Sequence, residues 1–350
     1  MAGYEPEQGY PAITGIGMYI PEHGLTNRQL IDLLGIDSSP RWIEDHTGIT
    51  HRYWGGKDCH PSEMAVAAST AALGMASLYP DEISTLLVSA GTQDHPTPNV
   101  ASLVHGRLGL PRECLAVDAK AACAGFVINL AAASDRVQVH PEYPNALVVG
   151  TEICSSRVNP KDRRTAILFG DGAGAVTVQP VAGAERPVSV MLTEPDLEAI
   201  HVPAGGSRQT LKDPEDPSGK LVMDGPAVKR HALSIMTGAT RRVAHRAGLA
   251  ESDQPGAPID WSDTILVPHQ ANARLVEAVG EVLGVPQDRC VVSVGQYGNT
   301  SSASIPMAIA QAYESGMIRG GRLQRVIVTA IGAGMVGGAM LINVALPEKS

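Results

Sequence analysis

The order of motifs in this 350-residue chain occurs twice. The stretch from "TLLVSAGTQ" at residue 85 through "LGLPRECLAVDAKAACAGFVINLAAA" has a counterpart from "TILVPHQ" at 264 through "LGVPQDRCVVSVGQYGNTSSASIPMAIAQA". Within it, "LGLPRECLAV" aligns with "LGVPQDRCVV" without a gap. Each half then closes on a glycine-rich turn entering an apolar run, "GDGAGAVTV" and "GAGMVGGAMLINV". Internal duplication bounds the fold before any local reading. Two halves of one architecture, packed about a pseudo-twofold axis, bring equivalent turns face to face. One of those turns carries Cys123, the other Gly298 and Asn299.

The segments alternate in type. Short aliphatic and β-branched runs at 85–90, 114–119, 146–150, 175–181, 264–268, 290–294, 325–330 and 339–346 read as strands covered on both faces. Helical patterns such as "PNVASLVHGRLG", "FVINLAAASDRV", "ARLVEAVGEVLG" and "SIPMAIAQAYESG" lie between them. Alternation of this kind specifies an α/β fold. The expected organisation is a flexible lead over 1–10, a first half over 11–183, a connecting excursion over 184–224 and a second half over 225–350. The excursion is rich in Pro, Gly and Asp, with a turn at "DPEDPSGK"; an amphipathic helix at 225–250 opens the second half.

Composition removes several classes of function. Asp and Glu outnumber Lys and Arg, 36 to 27, for a net charge of −9, which disfavours nucleic acid as a partner. No apolar run is long enough to span a membrane, and "MAGYEPEQGYP" has neither the basic nor the apolar region of a signal peptide. The five cysteines are odd in number and show no C-x-x-C spacing, so free thiols in a cytoplasmic protein are expected, with no metal.

Two glycine motifs carry no cofactor. Gly332, Gly334 and Gly337 spell G-x-G-x-x-G, but only thirteen residues follow, too few for the helix, strand and acidic residue that a dinucleotide site needs. "GDGAGA" at 170–175 lacks the lysine of a phosphate loop. Three other positions carry chemistry. Cys123, in "AACAGF", sits where a strand turns into a helix; a helix N-terminus favours a thiolate. His269, Gln270 and Asn272, in "VPHQANARL", put polar groups at a strand-to-helix junction, where side chains face a cleft. Asn299, in "GQYGNTSSASIP", precedes a helix that Thr300 or Ser301 can cap. Taken singly, each has a structural reading: a core cysteine, a buried histidine, a cap. Together they supply a nucleophile and donors for an oxyanion.

"DAKAACAGF", "ALVVGTEI", "DRRTAILFGDGAGA", "VPHQANARL" and "GNTSSASIP" resemble, in order, the signatures of β-ketoacyl-acyl-carrier-protein synthase III. This is the initiating condensing-enzyme branch of the thiolase superfamily, and the resemblance runs from about Gly15 to Leu346. It implies a five-layered α-β-α-β-α fold and a homodimer. It makes Cys123 the nucleophile that takes an acyl group from acyl-CoA. It makes His269 and Asn299 the pair that binds the malonyl thioester carbonyl and stabilises the enolate formed on decarboxylation. The backbone N–H groups of Cys123 and Ala333 would form the oxyanion hole. Trp42 would stack on the CoA adenine, with Arg163 nearby and His46 where the family often carries arginine.

Thr97 occupies the position, often phenylalanine, that reaches into the partner subunit's acyl pocket; Ile331 and Met335 are assigned to that pocket as well. The smaller side chain implies a roomier pocket. The segment "HVPAGGSRQ" is similar to relatives in specialised pathways. An acidic carrier protein needs a local basic patch, for which Lys229, Arg230, Arg241, Arg242 and Arg274 are candidates. The reading is therefore a decarboxylative Claisen condensation of an acyl-CoA starter with a malonyl-type thioester, without a cofactor. Two alternatives stand beside it: transfer of the acyl group to an alcohol, amine or water, and a catalytically silent subunit.

Overall fold

The computed structural model describes residues 8–207, 209 and 217–349. Most of the expected N-terminal lead, Arg208 in "HVPAGGSRQ" and the first part of "DPEDPSGK" lie outside the described residues. The duplication is visible strand by strand. In the first half, Thr85–Ser89 pairs in parallel with Leu115–Asp118 on one side and with Ala146–Glu152 on the other. Ala146–Glu152 then pairs antiparallel with Gly172–Val181, which pairs antiparallel with Tyr10–Tyr19. In the second half, Thr264–Pro268 pairs in parallel with Gln324–Gly332, which pairs antiparallel with Gly334–Val344, which pairs antiparallel with Val188–Asp196. The two sheets meet at one seam, where Ala12 and Ile13 run parallel to Asn343 and Val344. Among the described residues this gives one nine-stranded sheet built from two like halves.

Alternation along the strands assigns the layers. Val148, Val267, Val326 and Val328 point into a core shared with Val127, Leu130, Ile305 and Ile309 of two central helices, Gly125–Val139 and Ser304–Glu314. Leu147 and Val149 point the other way, against the helices Pro61–Ala76 and Val100–Leu108. Leu266, Ile327 and Leu341 face outward against Ala273–Leu283 and the helix that runs from Gly225 to Arg246 through a π-turn at Leu233–Thr237. Helix, sheet, helix pair, sheet, helix is the five-layered order expected.

Two strands of the large sheet were not read from the sequence. Tyr10–Tyr19 contains a proline and two glycines, Gly15 and Gly17, which disguise it. A Cβ at either glycine would collide with the carbonyl oxygens of Ala72 or Ala68, so the glycines let the helix Pro61–Ala76 lie directly on the strand. The stretch expected as an excursion, 184–224, opens with the sheet strand Val188–Asp196; its half-exposed, acid-ended pattern hides the pairing. Conversely, "CVVSV" at 290–294 forms only an isolated bridge, Cys290 to Leu266. Beyond it Gln270 replaces the ladder, its Nε2 donating to the Pro268 and Val291 carbonyls and its Oε1 accepting from the N–H groups of Ser293 and Val294.

Candidate active site

The site is built from two equivalent turns. Each half bends a non-glycine residue into the left-handed region, Ala122 at φ 47° and Ser301 at φ 52°. A single 3₁₀ turn follows each, Ala122–Ala124 and Ser301–Ala303, and runs into a central helix. The strained turns face one another, and Cys123 Sγ donates to Ser301 Oγ at 3.4 Å. The turn around Ala333 closes the third side. A Cβ on Gly332 would strike the Ala121 carbonyl oxygen and lie 3.2 Å from the Cys123 nitrogen, so backbone meets backbone where the oxyanion donors are expected.

Cys123 stands between two cavities. One, of about 300 Å³, is lined also by His269, Asn299, Ile331, Ala333 and Met335. The other, of about 410 Å³, is lined also by Glu152, Cys154, Phe169, Ile200 and Leu221. The expectation that the helix terminus keeps the sulfur anionic is not met. Burial, and then the Glu152 carboxylate, push the Cys123 thiol up to about 11, against the opposing effect of its hydrogen bond with Ser301. Loss of hydration at the base of the two cavities opposes the thiolate more strongly than one short turn favours it.

His269 is buried, and burial lowers its pKa to about 4, so the ring is neutral at pH 7. Its Nδ1 lies 2.7 Å from Ser304 Oγ. That oxygen also accepts the Gln270 N–H at 3.3 Å; with the Ser304 hydroxyl donating to Nδ1, the ring proton sits on Nε2. The Asn299 carboxamide is oriented likewise: its Oδ1 accepts the Ser301 N–H at 2.8 Å, which leaves its Nδ2 donors for the cavity. His269 and Asn299 thus present two neutral N–H donors beside one thiol. Gln270 and Asn272 are structural; Asn272 caps Ala273–Leu283. Thr300 and Ser301 do not cap Ser304–Glu314, which begins behind Ala303 without a side-chain cap.

The outer residues divide. Trp42 stacks on His46, with ring centroids 4.0 Å apart, and the Arg163 guanidinium lies over its ring, 4.8 Å from the centroid. His46, Lys229 and Arg274 line the cavity that ends at Cys123, so this cluster stands at its mouth. Arg230 is exposed but outside that cavity. Arg241 is no patch residue: it is buried and donates to the carbonyls of Ala257 and Val282. Arg242 faces Asp253 at 4.0 Å. Ile331 and Met335 line the His269 cavity rather than the one beside Glu152, and Thr97 is exposed and lines neither. Among the described residues no group of three His, Cys, Asp or Glu is placed to hold a metal, and no helix is long and apolar enough to cross a membrane.

Glu152 was not singled out from the sequence. Its signal is an acid ending the otherwise apolar strand "ALVVGTE". It is fully enclosed, accepting from the Gly91 N–H, Thr92 Oγ1, Ser301 Oγ and Ser302 Oγ.

Two duplicated α/β halves with a cysteine, a histidine and an asparagine at their facing turns define a thiolase-type condensing enzyme. Residues 117–193 match the family 3-oxoacyl-[acyl-carrier-protein] synthase III, and residues 258–344 match its C-terminal family. A β-ketoacyl-[acyl-carrier-protein] synthase III of Symbiobacterium thermophilum is 37% identical over 335 residues, 95% of this chain and 97% of the relative. The Staphylococcus aureus (strain Newman) enzyme of that name is 36% identical over 331 residues, 95% and 98% of the two chains. Among solved structures, 3-oxoacyl-(acyl carrier protein) synthase III of Pseudomonas aeruginosa PAO1 superposes with a TM-score of 0.83 at 32% identity, covering 96% of this chain and 98% of that one. The priming β-ketosynthase of the R1128 polyketide pathway superposes at 0.82 with 33% identity over the whole of both chains. This chain belongs to the β-ketoacyl-acyl-carrier-protein synthase III family.

Proposed function

We propose that the chain takes an acyl group from acyl-CoA onto Cys123 and condenses it with a malonyl thioester held by a carrier protein. The observation that carries this reading is the pairing of neutral His269 with Asn299 in the cavity that ends at Cys123. Loss of carbon dioxide from a malonyl thioester builds negative charge on the thioester oxygen, and two fixed N–H donors suit that oxygen. The enolate carbon then attacks the acyl-enzyme carbonyl, whose oxygen rests on the Cys123 and Ala333 N–H groups. Transfer to an alcohol or amine needs a base instead, and an imidazole that titrates near 4 is a poor one at neutral pH.

In this reading the phosphopantetheine arm enters past Trp42, His46 and Arg163, and the acyl chain occupies the cavity beside Phe169, Ile200 and Leu221. No cofactor takes part. Lys229 and Arg274, at the mouth, are the remaining candidates to meet an acidic carrier. The dimer forms along Leu115–Asp118, the outer strand of the first half, where Leu115 and Val117 are exposed. Thr97 then reaches the partner's acyl pocket. Five free cysteines accord with a cytoplasmic setting. Intact-protein mass tests the first step: acyl-CoA adds one acyl group to the wild type and none to Cys123→Ala, and equal labelling of both overturns the assignment.

A further inference from the structure

A protonated Cys123 has to lose its proton to attack a thioester, and neither His269 nor Asn299 takes it. His269 is neutral but far too weakly basic near pH 7. The path that does lead away from the sulfur is a chain of hydrogen bonds. Cys123 Sγ donates to Ser301 Oγ at 3.4 Å, and Ser301 Oγ donates onward to Glu152 Oε1 at 3.3 Å. The chain is held from both ends. The Ser301 N–H is fixed by Asn299 Oδ1 at 2.8 Å, and its backbone is kept at φ 52°, which aims the hydroxyl between sulfur and carboxylate. Glu152 is locked by the Gly91 N–H at 2.9 and 3.0 Å, by Thr92 Oγ1 at 2.8 Å and by Ser302 Oγ at 3.1 Å. A left-handed serine and an enclosed glutamate are costly features, and proton transfer at this sulfur gives both a use.

We propose that Glu152 receives the Cys123 proton through the Ser301 hydroxyl during acyl loading. As the thioester carbonyl approaches, the S–H bond breaks and its proton joins Ser301 Oγ. The Ser301 proton passes to Glu152 Oε1 in the same movement. The sulfur lone pair attacks the carbonyl carbon, the bond from carbon to the CoA sulfur breaks, and the proton returns over Ser301 to that leaving sulfur. Nothing is oxidised or reduced, and the products are the acyl-enzyme and CoA thiol. Ser301 touches the reacting sulfur; Glu152 acts through it. This rests on the acyl-CoA reading of Cys123 given above.

Burial pushes the Glu152 pKa up despite its donors, which narrows the gap to the thiol. The titratable groups that face Glu152 are Cys123 and Cys154, with Asp171 behind Cys154; Lys120 and Arg157 line the same cavity.

The sign of one substitution separates a proton acceptor from a bystander charge. The Glu152 carboxylate raises the Cys123 pKa by repulsion. If that is its whole role, Glu152→Gln lowers the thiol pKa and speeds both alkylation and acylation. If Glu152 accepts the proton, Glu152→Gln slows acylation by acyl-CoA at pH 7 by roughly a hundredfold, while the thiol titrates at or below its wild-type pH. Ser301→Ala breaks the same chain without changing charge and slows acylation comparably. In both variants acylation climbs tenfold per pH unit towards the thiol pKa, whereas the wild type levels off lower. The readouts are rapid-quench intact mass with acyl-CoA, thiolate absorbance against pH, and thermal unfolding to confirm folded variants. Wild-type rates in both folded variants, or acceleration in Glu152→Gln, overturn the proposal and leave the reading of Cys123 intact. A wild type that acyl-CoA does not label overturns that reading itself.

Discussion

Ala122 and Ser301 occupy equivalent places in the two halves, and both hold a left-handed backbone, at φ 47° and 52°. The duplication thus repeats a strained turn as well as the strand order. The first turn sets Cys123 at the start of one central helix, and the second sets Ser301 against its sulfur.

A left-handed conformation costs an L-residue about 1–2 kcal/mol, and a branched Cβ is disfavoured further still. Ala122→Val should therefore lower the melting temperature and misplace Cys123, while Ala122→Gly should keep acylation within a fewfold of wild type. Thermal unfolding and intact mass with acyl-CoA check both. A fully active, stable Ala122→Val enzyme would contradict the account of the turn.

His269 gives a pH dependence with a definite sign. Burial lowers its folded pKa from the usual 6.5 to about 4, so the unfolded chain takes this proton first as pH falls. Stability from this group is whole above 6.5, is lost as pH drops towards 4, and falls no further below that. The loss is about 2 to 3 kcal/mol between pH 7 and pH 4.5. Urea unfolding at the two pH values should show a smaller loss in His269→Gln than in the wild type. Equal losses would mean that burial does not lower the His269 pKa in the folded protein.

Much of the fold and site was legible because the duplication shows in the chain order. It put Cys123, His269 and Asn299 at strand-to-helix turns before any geometry was known, and Trp42, His46 and Arg163 do come together. What stayed hidden depends on partners far along the chain. Tyr10–Tyr19 reads poorly because its glycines serve the helix Pro61–Ala76 rather than the strand. Cys290–Val294 reads as a strand because the sequence does not announce that Gln270 will satisfy its backbone. Arg241 looks like surface charge until the carbonyls around it are seen. The helix end that favours a thiolate at Cys123 is local and legible, whereas the burial and the Glu152 charge that oppose it come from elsewhere in the chain.

Trp42 should matter for CoA more than for chemistry. A stacked base on an indole is worth roughly 1–3 kcal/mol. Trp42→Ala should raise the KM for acyl-CoA about tenfold or more with kcat little changed, and leave acyl-pantetheine, which has no adenine, unaffected. An equal effect on both substrates would place the nucleotide elsewhere.

The exposed strand Leu115–Asp118 makes the dimer testable. Val117→Lys should shift the protein from dimer to monomer in light scattering, and Thr97→Phe should move acyl preference from chains of four or more carbons towards acetyl, each methylene accommodated being worth ~0.8 kcal/mol. A wild-type monomer at micromolar concentration, or an unchanged preference in Thr97→Phe, would contradict the shared pocket.

Carbon dioxide release from a malonyl thioester, followed beside acyl-enzyme mass in the same samples, bears most directly on condensation. The wild type should do both. Asn299→Ala should lose decarboxylation by roughly a hundredfold or more while acylation on Cys123 falls far less, since loading draws only on the Asn299 Oδ1 anchor of Ser301 and not on the Nδ2 donor. A wild type that is acylated, releases no carbon dioxide and hands its acyl group to an alcohol or amine would show that His269 and Asn299 serve plain transfer instead.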